Sequence, residues 1–107
     1  MERAGTPQGC RQNGHLFRLM LRDHASRTRF IEDLDRRGVN AVFHYVPLHS
    51  SPAGLRLGRS HGPLPVTDEA SARLVRLPLW AGMEDADVEH VIEAVHDVLA
   101  RHPAPTV

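Results

Sequence analysis

The sequence predicts a small α+β fold, a sheet of about three strands covered by helices, and three observations predict it. First, short β-like runs alternate with helical ones in the order strand, helix, strand, loop, helix, strand, helix, which suits helices layered on one face of a small sheet. Second, Val88, Val91, Ile92, Val95 and Leu99 recur at helical spacing, with Glu89, Glu93 and Asp97 between them. Third, 107 residues of which 41% are hydrophobic and 24% charged make one small domain of ordinary globular composition.

Residues 1–13 mix Gly, Pro, Gln, Arg and Asn without apolar periodicity and are read as a tail or linker stump, so the domain is expected over 14–101 and a second tail over 102–107. In His15–Leu21 the residues Phe17, Leu19 and Leu21 alternate as on one face of a strand. Ser26 is the predicted cap of a first helix whose stripe is Phe30, Ile31 and Leu34; Arg36 and Arg37 suit its C-terminal end and Gly38 its stop. Val39–Val46 reads as a second strand with apolar groups on both faces, which calls for cover on two sides or a missing neighbour.

The stretch from Pro47 to Val66 is rich in Pro and Gly and is expected to be mainly loop, with one short helical turn at Ala53–Leu57. Thr67 is expected to cap a short helix carrying Ala70, Leu74 and Val75 on its inner side, and Leu77-Pro78-Leu79-Trp80 to follow as a short edge strand. Acidic Glu84, Asp85 and Asp87 favour the start of the last helix, and Arg101 and Pro103 its end.

Thirteen arginines balance thirteen acids and there is no lysine. The balance is uneven along the chain, since residues 1–60 carry ten arginines against five acids and 61–107 three against eight. That overall neutrality speaks against a nucleic-acid partner. No apolar run is long enough for a membrane span or a signal peptide, and the single Cys10 cannot form an internal disulfide, so a cytoplasmic protein is expected. Eight histidines invite a metal site, but their spacings do not fit: His44 and His49 lie five apart across a proline, and His90 and His96 six apart on opposite sides of a helix. No nucleophile elbow, Walker loop or dinucleotide-binding turn is present.

The most informative stretch is Phe43-His44-Tyr45-Val46-Pro47-Leu48-His49, where a strand end delivers two imidazoles and the only tyrosine into a long loop. In the bland reading Phe43 and Tyr45 are core, His44 a hydrogen-bonded half-buried residue and His49 solvated. In the functional reading imidazole and phenol donate to sugar hydroxyls or phosphate oxygens. Arg22, Arg56 and Arg59 are open to two readings as well, contacts for an anion or solvated surface residues.

Gly14-His15-Leu16-Phe17, Arg22-Asp23, the run from Phe43 through Ser50-Ser51-Pro52-Ala53-Gly54, then Arg56, Gly58, His61-Gly62 and Leu77-Pro78-Leu79-Trp80 together resemble the C-terminal part of DegT/StrS-type sugar-nucleotide aminotransferases. Within that family the wording is most similar to the dTDP-4-amino-4,6-dideoxygalactose transaminase type, and the resemblance spans Gly14 to about Leu99. It implies the small C-terminal domain of a fold-type I, pyridoxal-phosphate enzyme that moves an amino group from glutamate to a 4-keto-6-deoxy nucleotide sugar.

By the same resemblance His44, Tyr45 and His49 are substrate-binding residues on the nucleotide-sugar side. Such chemistry needs a Schiff-base lysine, which arginine cannot replace because its guanidinium stays protonated. With no lysine, this chain is expected to hold no catalytic residue, to bind no cofactor alone and to be inactive alone. Its expected partners are the missing large pyridoxal-phosphate domain, in the same or a separate chain, a nucleotide sugar, and a second copy in a homodimer. The alternative is a non-catalytic remnant, or a standalone nucleotide-sugar-binding or dimerisation module.

Overall fold

A computed structural model describes residues 2–3 and 6–101, so the tail expected over 102–107 lies outside the described residues. Helices α1 (His24–Asp35) and α4 (Asp85–Arg101) cover one face of an antiparallel sheet. Its strands are β1 (Glu2–Arg3), β2 (Phe17–Met20), β3 (Val42–Phe43) and β4 (Leu74–Leu77), in the order β1-β2-β4-β3. A 3₁₀ turn at Leu48–Ser50 and the short helices α2 (Pro52–Leu57) and α3 (Pro65–Arg73) fill the connection from β3 to β4. The α+β class is as predicted. The two-residue β1, paired with Leu19 and Met20, lies inside the segment read as a tail, where so short a pairing leaves no periodic trace in sequence.

The core forms where Leu19 and Val75, facing partners on β2 and β4, meet Phe30 and Leu34 of α1 and Ala94 and Val98 of α4. Val39 and Ala41 close it from the chain after α1, and Leu34, Val75 and Val98 are completely buried. Gly38 makes this return possible, since its φ of +74° is a left-handed conformation that side chains resist.

Four local readings change in three dimensions. Helix α1 starts at His24, capped by Asp23 and not by Ser26: Asp23 Oδ1 accepts the Ser26 amide at 2.7 Å. The second strand keeps only Val42 and Phe43, opposite Arg76 and Val75, and it has no room to run on to Val46, because beyond Val75 β4 offers only Leu74 before α3 begins. β4 is central and begins at Leu74, not at Leu77; it stops before Pro78, which lacks an amide hydrogen for the ladder. Helix α3 opens with Pro65 in its first turn, leaving Thr67 within the helix.

Helix α4 is also rotated from its apparent stripe. Ala94 and Val98 are its buried residues, with Val91, Val95 and Leu99 packed beside them, whereas Ile92 is 50% exposed. The apolar surface of α4 is wider than the small sheet can cover. Val88 and Ile92 instead line an apolar groove of about 540 Å³ with Phe17, Leu77, Leu79 and Met83.

Asp23 gives a pH-dependent prediction. The Ser26 amide, then the Arg22 guanidinium (Nε to Oδ2, 2.7 Å), hold its carboxyl well below the usual carboxylate range. A carboxyl depressed on folding stabilises the protein fully above its unfolded value near 4, and that contribution fades as the pH falls below it. Asp23→Asn, which keeps a capping oxygen but not the charge, should therefore melt below the wild type at neutral pH, by a gap that is smaller near pH 3 and narrows further with more acid. Thermal melts at both pH values check this, and a gap independent of pH contradicts it.

Candidate functional site

The segment leaving β3 runs along the edge of the domain toward α3. Having lost its strand partner at Phe43, it is held by few contacts, one being the Ser71 hydroxyl donating to the Tyr45 carbonyl at 3.4 Å. Phe43 and Tyr45, which the bland reading places in the core, are exposed, Tyr45 to 71%. The His44 and Tyr45 rings contact each other, with centroids 5.0 Å apart and planes at 56°. His44 Nδ1 is buried with no hydrogen-bond partner among the described residues, an unmet polar atom that the bland reading does not allow.

His49 is not solvated. Its side chain is largely buried and its Nε2–H donates to Asp68 Oδ1 of α3 at 3.0 Å. That bond ties the 3₁₀ turn to α3, and His49 lines a hollow of about 450 Å³ floored by Ala53, Gly54 and Leu57 of α2. Thus the three sequence-predicted residues divide: His44 and Tyr45 touch, and His49 turns to Asp68.

Two arginines that sequence reasoning passed over complete the region. Arg27 of α1 lies over the Phe43 ring at 5.1 Å and Arg76 of β4 over the Tyr45 ring at 5.3 Å, both within cation–π range. The Nε of each is buried without a hydrogen-bond partner among the described residues. Their positions in sequence carried no signal, because Arg27 falls in a polar stretch of α1 and Arg76 between apolar neighbours, and only folding sets them against the aromatic pair. Arg76 also faces Arg18 directly across β2 and β4, a like-charge pairing that a sheet does not favour unaided.

Of the arginines that were singled out, Arg22 pairs with Asp23, and Arg56 and Arg59 are exposed on and after α2. Arg27, Phe43, Val46, Pro47, Asp68 and Ser71 line a further cavity of about 250 Å³, which His24 and Ala72 also border. Among the described residues no three His, Cys, Asp or Glu side chains converge to hold a metal ion. None of the described helices is long and apolar enough to cross a membrane.

Comparison with known proteins assigns the family. Residues 2–96 match the DegT/DnrJ/EryC1/StrS aminotransferase family. The chain belongs to that family. Among its relatives, the aminotransferase TlmJ from Streptoalloteichus hindustanus superposes with a TM-score of 0.79 at 31% identity, over 94% of this chain and 26% of TlmJ. Spr1654 from Streptococcus pneumoniae, described as a sugar aminotransferase and solved in its PMP form, gives a TM-score of 0.70 at 25% identity over 81% of this chain and 22% of its own. An uncharacterized protein, MJ1066, from Methanocaldococcus jannaschii is 30% identical over 92 residues, which are 82% of this chain and 24% of MJ1066.

The chain thus spans about a quarter of the length of the DegT-family proteins it matches. It is a sugar-aminotransferase-like domain of the DegT family, and its α+β fold agrees with that of a fold-type I aminotransferase domain.

Proposed function

We propose that this chain is the small domain of a cytoplasmic, pyridoxal-phosphate-dependent transaminase that passes an amino group from glutamate to the 4-keto group of a dTDP-linked 6-deoxysugar, of the 4-amino-4,6-dideoxygalactose type. The observation that carries this reading is the β3 exit, where an exposed Tyr45 under Arg76 and a His44 with an unmet ring nitrogen offer donors and acceptors to a polar ligand. In this reading Tyr45 and His44 donate to sugar hydroxyls or phosphate oxygens, while His49, through Asp68, holds the loop in place.

The chain's own residues do not fit the cofactor. A Schiff base needs a side-chain amine, and the sequence contains no lysine. The lysine and the acidic group for the pyridinium nitrogen belong, in this proposal, to a large domain supplied by the same or a separate polypeptide. The groove of Phe17, Leu79, Val88 and Ile92 is the surface proposed to meet it, being a contiguous apolar patch of the kind that marks an interface. The same groove favours one second reading, a dimerisation module without catalysis, which sedimentation velocity of the pure chain would reveal as a concentration-dependent dimer.

Two measurements test the main proposal. The pure 107-residue chain is expected to give no transamination with glutamate and a dTDP-4-keto-6-deoxysugar; turnover by it would refute the assignment of the catalytic groups to another domain. The coding frame upstream of Met1, or a neighbouring gene, is expected to encode a lysine-bearing domain whose co-expression with this chain yields bound pyridoxal phosphate and that activity. A co-expressed pair that binds the cofactor but leaves nucleotide sugars unchanged would overturn the substrate.

A further inference from the structure

The cavity beside Arg27 is not used by the reading above, and what it contains points to a ligand. Arg27 is 8% exposed, and it is the one charged residue among the buried ones described. A guanidinium largely withdrawn from water favours an anion, because a buried N–H donor left without an acceptor costs its desolvation. Here its Nε has no hydrogen-bond partner and no carboxylate pairs with it among the described residues. The Phe43 ring, 5.1 Å from the guanidinium carbon, attracts the cation but supplies no carboxylate or carbonyl acceptor.

We infer that this cavity is a binding site for a small carboxylate, with Arg27 as its anchor. The planar fork of a guanidinium matches a carboxylate. The cavity of about 250 Å³ has room for a small organic acid or amino acid, with Phe43, Val46, Pro47 and Ala72 as apolar wall for its carbon chain. His24 is a further donor on the lining.

The charge balance selects a monoanion. Asp68 also lines the cavity, and although its Oδ1 is engaged by His49, its charge opposes a second negative charge nearby. A carboxylate carries one charge and a phosphate up to two, so the wall that tolerates the first disfavours the second. This inference uses neither the cofactor nor the nucleotide sugar of the transaminase reading, and acetate, which has no part in that reading, tests the site apart from it.

Nitrogen-15 NMR of the 107-residue chain tests it directly, because a buried arginine shows its own Nε–Hε signal, identified by its disappearance in Arg27→Lys. Titration with acetate, and separately with glutamate, up to about 0.1 M at constant ionic strength should move that signal saturably, with the backbone amides of His24 and Ser71 following the same curve. Arg27→Gln should abolish the saturable change at His24 and Ser71, and Asp68→Asn should tighten binding roughly two- to fivefold, as removal of one nearby like charge does.

Should Arg27→Gln fail to fold, the wild-type signal and Asp68→Asn still decide. No saturable shift, or an equal shift with chloride, overturns the site. Tighter binding of inorganic phosphate than of acetate overturns the assignment to a carboxylate.

Discussion

Leu34→Ala will cost about 2–5 kcal/mol of stability, the range for truncating a buried leucine whose surroundings close only partly over the cavity. Leu34 is 0% exposed and lies where α1, Val39 and the sheet converge, and its carbonyl also accepts the Val39 amide at 3.0 Å. A domain of this size holds about 5–15 kcal/mol in all. The substitution should therefore bring the protein to the edge of unfolding at ambient temperature, read as a fall in the urea midpoint at unchanged slope.

Ile92→Ala is the informative companion. Ile92 occupies the middle of the apolar stripe of α4 as read from sequence, yet it is half exposed on an open groove, so its truncation should cost under about 1 kcal/mol. Comparable losses for the two variants would contradict the rotation of α4 described above.

Gly54→Ala should disrupt α2 locally, for a reason of contact and not of cavity. A Cβ on Gly54 would lie 1.6 Å from the Leu48 carbonyl oxygen and 2.6 Å from its carbon, so the obstruction is backbone and no rotamer change relieves it. Overpacking of this kind costs about 1–3 kcal/mol where side chains can yield, and more where they cannot. The 3₁₀ turn and α2 must therefore separate or unfold, undoing the cap in which Ser51 Oγ accepts the Gly54 amide at 3.0 Å. Loss of hydrogen-exchange protection at Leu55 and Gly58, with the sheet amides unaffected, is the expected signature.

Gly58→Ala serves as the control. Its Cβ would approach only the Gly54 oxygen, at 3.2 Å, and its backbone is extended, so a small effect is expected. If Gly54→Ala retains native protection in α2, the close approach to Leu48 is wrong.

The sequence by itself determined the class of the fold, the helices α1 and α4, the break at Gly38 and the segment 43–49 as the place of interest. These follow from local physics: apolar periodicity, a left-handed glycine and the crowding of imidazoles and an aromatic at a strand end. Tertiary structure decided what depends on neighbours. Val39–Val46 has the composition of a long strand, but a strand lasts only as long as its partner, and β4 runs out at Leu74.

The stripe of α4 is wide enough for several orientations, and contact with Val75 and Leu34 selects the one that buries Ala94 and Val98. His49 looked like a loop residue until α3 brought Asp68 to it, 19 positions along the chain. Arg27 and Arg76 are two of thirteen arginines with nothing local to mark them. Burial is a property of the assembled layers, and it is burial that turns an ordinary surface cation into a guanidinium that favours an anion.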